Sequence, residues 1–184
     1  ELMAAPQVKD RQLEIELNAP VIFIDTAGCG FDEKVHHAYQ SKFNPEEFQI
    51  LREHLYQLAE AFLEKEPPSI AIISPYREQV MHIEEELKDD PMLSKLDLDI
   101  NTIDGFQGQE KDVVFISLVR SNMKGEIGFL TDYRRMNVAM TRARKLLVVI
   151  GDSATIGSNP FYARFLAYCE ERNGYESAWA YFKS

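Results

Sequence analysis

The chain has 184 residues, enough for one domain with its own core, and 45% hydrophobic and 27% charged residues are typical of a globular protein. A net charge of −10 argues against a uniformly basic nucleic-acid-binding surface. The sequence contains no run of about 18 apolar residues, the length that could span a membrane. Its two cysteines match no metal-binding spacing, so the sequence favours a reduced, cytoplasmic protein without a metal site of its own.

The positive charge is concentrated in one part of the chain. Residues 101–150 hold eight Lys/Arg and five Asp/Glu, which leaves that block at +3 and the remainder at −13. A locally basic site on an acidic body can still attract phosphates. A chance fluctuation in composition explains the same numbers equally well.

The beginning of the chain predicts a lead-in segment followed by a single α/β domain. Residues 1–18 are mixed and polar, and the domain is expected to occupy residues 19–184. Residues 21–24 form a short apolar run that predicts a buried strand. Residues 27–43 predict a long loop.

A helix is predicted to begin at Asn44, which is a good capping residue. Glu47 takes the third helical position, as in a capping box, and Pro67 ends the helix. Further strands are predicted at residues 69–73, 96–103, 113–119 and 146–150, and further helices after Tyr76, at residues 132–144 and at residues 160–171.

Strands and helices alternate, and the apolar strands are continuous runs. This pattern predicts a three-layer α/β fold with a mainly parallel sheet and helices on both faces. Ligands of such folds lie at the carboxyl ends of the strands. The loops at residues 74–77, 104–108 and 151–152 all follow predicted strands, so we expect functional residues there.

The first candidate segment contains Tyr76 and Arg77, directly after a strand. The ring of Tyr76 can stack on a base, and the guanidinium of Arg77 can contact phosphate oxygens in a forked geometry. Taken alone, the pair is more simply explained by a tyrosine packed on the sheet beside a solvated arginine.

The second candidate segment covers residues 102–112 and contains two glycines that allow close approach of a ligand. Gln107 and Glu110 can hydrogen-bond a ribose or an attacking water, and Thr102 can donate to a phosphate. A β-hairpin with an Asp-Gly turn is the alternative for this segment.

The third candidate segment covers residues 134–144. Helical spacing predicts that Arg135, Val138 and Arg142 share one face, from which Arg142 can reach the nucleotide of a neighbouring domain. The alternative is a basic, solvated helix whose methionines face the core.

Taken together and in this order, the three segments resemble motifs IV, V and VI of superfamily 1 helicases. The resemblance is closest to the 5′-to-3′ branch that contains the nonsense-mediated-decay RNA helicase and related DNA helicases. It covers roughly residues 20–170, and the matching stretches are residues 105–112, 117–122, 128–130 and 134–144, with a weaker Ser-x-x-Asn-x-x-Glu signature at residues 41–47.

The resemblance implies a second RecA-like motor domain with one half of an ATP site. Tyr76 would lie near the adenine, and Arg77 would contact phosphate. Gly108 and Glu110 would lie beside the ribose and the γ-phosphate, and Arg142 would be the arginine finger.

The resemblance also implies a single strand of DNA or RNA as partner. Thr102, Ser117 and Arg120 would contact its backbone, and Gln107 would couple the strand site to catalysis.

Two family features are missing from this sequence. It has no Gly-x-x-x-x-Gly-Lys-[Ser/Thr] loop to hold the β-phosphate, and no Asp-Glu pair after a strand to hold Mg²⁺. The family carries both in the first RecA-like domain, which is therefore an expected partner. We expect the parent protein to be an ATP-dependent helicase and the isolated domain to be inactive.

Three other functions fit parts of the pattern. A non-catalytic nucleic-acid-binding module could keep the fold without the motor. A single-domain P-loop kinase or GTPase is disfavoured by the missing phosphate loop. A nuclease–helicase fusion would carry its nuclease outside these residues.

Overall fold

A computed structural model describes residues 17–106 and 108–182. The strands are β1 (Val21–Asp25), β2 (Lys34–Val35), β3 (Lys42–Phe43), β4 (Ser69–Ser74), β5 (Asp97–Thr102), β6 (Lys111–Ser117), β7 (Ala143–Gly151) and β8 (Tyr175–Ser177). The helices are α1 (Pro45–Ala61), α2 (Arg77–Leu87), α3 (Tyr133–Met140), α4 (Ser153–Ile156) and α5 (Pro160–Glu171). Short 3-10 helices lie at Leu93–Lys95, Gly128–Thr131 and Ala178–Phe182.

Six strands form one sheet in the order β5-β4-β6-β7-β1-β8, and all its pairings are parallel. The predicted parallel sheet is therefore confirmed. Strands β2 and β3 form a separate antiparallel hairpin. Because β5 and β6 both pair with β4 and not with each other, the alternative of a β-hairpin across residues 102–112 is wrong.

Two apolar cores lie on opposite faces of the sheet, as the predicted three-layer fold requires. Helices α1 and α2 cover one face, where Phe48 and Ile83 pack with Phe115. Helices α3 and α5 belong to the core of the other face, to which Met136 and Phe165 contribute. None of the described helices is long and apolar enough to cross a membrane.

Helix α1 begins at the predicted cap, but not through the predicted capping box. The Asn44 side chain accepts a hydrogen bond from the Glu47 backbone nitrogen at 3.2 Å. The Asn44 backbone nitrogen donates to Gln79 Oε1 at 2.8 Å rather than to Glu47. Glu47 lies on the face of α1 that is buried against the sheet. Its carboxylate therefore accepts a hydrogen bond from Ser117 Oγ of β6, at 2.6 Å, and does not reach the Asn44 backbone nitrogen.

Helix α3 ends at Met140, four residues earlier than predicted. The backbone nitrogen of Lys111 donates to the carbonyl oxygen of Arg142 at 3.0 Å, and Ala143 pairs with Lys111 in the sheet. Sheet pairing therefore takes over the backbone groups that a longer helix would need. The predicted helical face shared by Arg135 and Arg142 is wrong, since Arg142 lies in the turn before β7.

Candidate functional site

The candidate residues lie at two ends of the sheet. Tyr76 and Arg77 follow β4, and Arg120 follows β6, so these three lie at the carboxyl ends of parallel strands. Glu110 directly precedes β6 and Arg142 directly precedes β7, which places both at the amino ends. The prediction that candidate residues lie in loops after strands therefore accounts for Tyr76 and Arg77, whereas Glu110 and Arg142 lie at the opposite end of the sheet.

The loop at residues 103–110 causes this division, because it returns from the end of β5 to the start of β6. Phe106 anchors it in the core on the α3 face of the sheet. At its beginning, the Gly105 nitrogen donates to Thr102 Oγ1 at 3.1 Å. Gly108 has a φ of +59°, a conformation that favours glycine. Gln107, predicted to couple the two sites, lies outside the described residues.

Arg142 lies against this loop with most of its hydrogen-bonding capacity unused. Its Nη1 donates to the carbonyl oxygen of Gly108 at 3.5 Å, at the limit for a hydrogen bond. Among the described residues, its buried Nε has no hydrogen-bond partner and its guanidinium has no carboxylate partner. Glu110, the last residue of the same loop, is exposed.

The arginines that flank Arg142 differ from it, because each is neutralised by carboxylates. The ion pairs, with N···O distances of 3.1 Å, join Arg135 to Asp104 and Asp132, and Arg144 to Asp112. Unlike Arg135 and Arg144, Arg142 could therefore bind the phosphate of a ligand without first breaking an ion pair with a described carboxylate.

An open groove runs between the 103–110 loop and α3. Its volume is about 830 Å³, within the range of small-ligand sites. Gly108 and Arg134 both line it. No cluster of three or more His, Cys, Asp or Glu side chains suited to a metal ion is found in the described ranges.

Arg77 begins helix α2 and its side chain is exposed. It makes no side-chain hydrogen bond or ion pair with a residue that the structure describes. A guanidinium at this place can contact a phosphate without first breaking an ion pair.

Tyr76 is only 3% exposed, and its ring stacks on Phe129 with a centroid distance of 5.1 Å and an interplanar angle of 30°. Its hydroxyl accepts hydrogen bonds from the Phe129 nitrogen and from Arg120 Nη1, both at 3.2 Å. Stacking of Tyr76 on an adenine would require Phe129 to move, and that role stays a prediction.

Arg120 is almost fully buried beneath this pair. Its Nε donates to both carboxylate oxygens of Glu33, at 3.0 and 3.2 Å. Burial alone would raise the pKa of Glu33, but hydrogen bonds from Asn122 and Arg120, together with the charge of Arg120, hold it below its usual value. A contact between Arg120 and a nucleic-acid backbone would require this ion pair to open.

Ser117 is fully buried at the end of β6. Its hydroxyl donates to Glu47 Oε1 at 2.6 Å and accepts from Gln79 Nε2 at 3.0 Å. It therefore joins α1, α2 and β6, and it has no free path to a strand in this conformation. Thr102 differs, since it is only partly buried and lines a cavity of about 250 Å³ at the carboxyl end of β5.

Two residues to which the sequence assigned no role of their own complete the arrangement. Glu33 lies in the long loop before β2 and is far from Arg120 in sequence, so no local pattern could pair them. Gly128 has a φ of +51°, and a Cβ there would collide with Arg120 Nη1 and crowd the Tyr76 hydroxyl. It lies within the Gly-Phe-Leu stretch of the resemblance, but its packing role needed the structure.

Gly128→Ala is expected to destabilise the domain by about 2 kcal/mol, because it adds both a strained backbone and an overlap with Arg120. Gly28→Ala is the matched control. Gly28 also has positive φ, at +77°, but open space surrounds its Cβ position, so a loss of about 1 kcal/mol is expected. Urea unfolding of both variants measures the difference. If both variants lose the same free energy of unfolding, Arg120 moves aside from the added Cβ at no cost.

Comparison with known proteins places the chain in a family. A family profile described as an AAA domain matches residues 1–154. The chain is 39% identical over 176 residues to DNA-binding protein SMUBP-2 of Rattus norvegicus, covering 96% of this chain and 17% of that protein. It is 41% identical over 172 residues to DNA polymerase alpha-associated DNA helicase A of Saccharomyces cerevisiae, covering 91% and 24%.

A third relative is the putative helicase MOV-10 of Gallus gallus, 36% identical over 173 residues, which cover 85% of this chain and 18% of that protein. The chain thus spans about a quarter or less of the length of these relatives. The parallel three-layer fold and the order of the three motif segments agree with this relationship. The chain belongs to the AAA domain family and, within it, to the superfamily 1 helicases of the branch that contains the nonsense-mediated-decay RNA helicase.

Proposed function

We propose that this chain is the second RecA-like motor domain of an ATP-dependent helicase. In this role it supplies an arginine finger and part of the ATP and single-strand binding sites. The observation that carries the proposal is the state of Arg142, whose guanidinium has no carboxylate partner among the described residues while Arg135 and Arg144 are both paired.

The residues present suit one side of a nucleoside triphosphate. Arg142 offers a guanidinium fork with no carboxylate partner in the described part of the chain, and it lies beside Gly108, whose positive φ lets the backbone approach a ligand closely. Glu110 is exposed next to them. Arg77 also has no ion pair with a described residue, but it lies at the carboxyl end of β4, the opposite end of the sheet from Arg142 and Glu110, so its predicted phosphate contact is not part of this arrangement. The β-phosphate and Mg²⁺ would be held by the first RecA-like domain, because this sequence lacks the residues for both.

Arg142 would act by stabilising the negative charge that develops on the transferred phosphoryl group. Loss of that contact after hydrolysis would free the two motor domains to separate. Tyr76, if it lies near the adenine, would do so after a rearrangement of Phe129.

On the strand side, Thr102 is the predicted residue with access to solvent. Ser117 and Arg120 are proposed to act indirectly, since both are buried and already bonded. Gln107 keeps its proposed coupling role. Backbone contacts discriminate poorly among sequences, so the strand can be DNA or RNA and its sequence preference is expected to be weak.

The full-length protein is expected to hydrolyse ATP faster when a single strand is added, with a homopolymer and a mixed sequence acting alike. The 184-residue chain alone is expected to hydrolyse none, because it offers no loop for the β-phosphate. Phosphate release assays with and without each strand measure this. Strand binding without any ATP turnover by the full-length protein would favour a non-catalytic binding module instead.

A further inference from the structure

Two exposed aromatic side chains line one cavity at the carboxyl ends of β4 and β6. Tyr39, in the loop between β2 and β3, is 71% exposed, and Phe129 is 66% exposed. Both line a cavity of about 320 Å³. That volume lies at the small end of ligand sites, which suits a single flat ring system. Large exposed aromatics beside a cavity are typical of a binding surface.

Phe129 is packed against the protein on one side. One face of its ring stacks on the buried Tyr76, and its backbone nitrogen donates to the Tyr76 hydroxyl. The next residue, Leu130, is fully buried and fixes the chain beyond it. The ring is therefore pre-organised, with its remaining surface available, so little conformational entropy would be lost on stacking.

The charge around this cavity is positive although the chain is acidic. Lys42 and Arg120 line it, and its described lining includes no carboxylate. Glu33 lies behind them and contacts both, at 3.6 Å from Lys42 Nζ and 3.0 Å from Arg120 Nε, so two cations share one anion. An aromatic surface with an excess cation suits a nucleotide, whose base can stack while its phosphate meets the charge.

We infer that Phe129 and Tyr39 form a stacking site for one base of a single-stranded nucleic acid, with Lys42 facing the adjoining phosphate. The inference rests on the proposed function, and it assigns a base contact where that function names only backbone contacts. We assign the base to the strand because Thr102 and Arg120, two of the proposed strand contacts, lie at this end of the sheet, whereas Arg142 and Gly108 lie at the amino ends of the strands. Tyr76 lines the same cavity, so an adenine is the competing occupant that the experiment must distinguish.

Phe129→Ala in the full-length protein is expected to weaken binding of a fluorescent single-stranded oligonucleotide by about tenfold or more. This is the loss expected when one base loses its aromatic stacking partner. An oligonucleotide with abasic sites should bind the wild type more weakly, and the variant should show little further loss with it. Phe129→Trp keeps a stacking surface and should retain affinity. Fluorescence anisotropy measures all of these.

Leu63→Ala is the control, since Leu63 is a comparably exposed apolar residue just beyond the end of α1 and outside the cavity. The strand affinity of this variant should match that of the wild type. Unchanged strand affinity in Phe129→Ala, with strand-stimulated ATP turnover intact, would overturn the stacking site and leave the proposed function standing. A raised KM for ATP with unchanged strand affinity would assign the cavity to the adenine and also overturn it. Wild-type protein without strand-stimulated turnover would instead refute the proposed function.

Discussion

Arg142→Ala should lower strand-stimulated ATP hydrolysis by the full-length protein about 10³-fold, the effect expected for loss of an arginine finger. The side chain has no carboxylate to release within the described residues, so its removal should cost little stability. Strand affinity without nucleotide should change little, because Arg142 lies at the amino end of β7 and the proposed strand contacts lie at the carboxyl ends. The measurements are the turnover number and the strand dissociation constant.

Two further variants separate the role of Arg142 from a general loss of charge. Arg144→Ala removes a nearby arginine that is already paired with Asp112, and it should leave turnover within a few-fold of the wild type. Arg142→Lys keeps the charge but not the planar fork, so it should recover only part of the rate. Equal turnover in Arg142→Ala and the wild type would exclude the finger role and favour a binding module.

The layered sheet could be predicted because its signals are local. Continuous apolar runs such as residues 70–73 and 113–116 are buried, and such runs in alternation with helical patterns favour parallel strands covered by helices. The cap at Asn44 was also local, since Asn44 Oδ1 and the Glu47 nitrogen are three residues apart. The motif segments could be found for the same reason.

The interior of the site could not be predicted, because its partners are distant in sequence. Residues 141–144 continue a helical pattern, yet the pairing of Ala143 with Lys111 starts β7 at Ala143 and leaves residues 141–142 in a turn. Tyr76 looked available for a base, but Phe129 and Arg120 bury it. Loop length and charge gave no sign that Glu33 would hold Arg120. Each of these outcomes depends on which side chains the sheet brings together.

The replacement Glu47→Gln is expected to change how the stability of the 184-residue chain depends on pH. Burial raises the pKa of Glu47 to about 7, although hydrogen bonds from Ser117 and from the Val119 nitrogen oppose that rise. Its second oxygen, Oε2, is buried and has no hydrogen-bond partner within residues 17–106 and 108–182. The negative charge is therefore only partly compensated in the folded protein.

The direction follows from the two pKa values. The folded chain holds the Glu47 proton more tightly than the unfolded chain, whose carboxyl has its ordinary value of 4.5. The contribution of Glu47 to stability is thus fully present below that pH and is lost as the pH rises through about 7. Between pH 4.5 and 8 the wild type should lose up to about 3 kcal/mol relative to Glu47→Gln, which cannot ionise.

Urea unfolding of both proteins across this pH range tests the expectation, because the contributions of all other carboxylates cancel in the difference. Glu53→Gln is the control, since Glu53 is an exposed glutamate on the same helix and its replacement should alter the difference little. Parallel pH profiles for Glu47→Gln and the wild type would mean that the buried carboxylate is as well stabilised as one in water. The two hydrogen bonds would then suffice for the charge, and Glu47 would hold Val119, at its unusual φ of +72°, equally well at every pH.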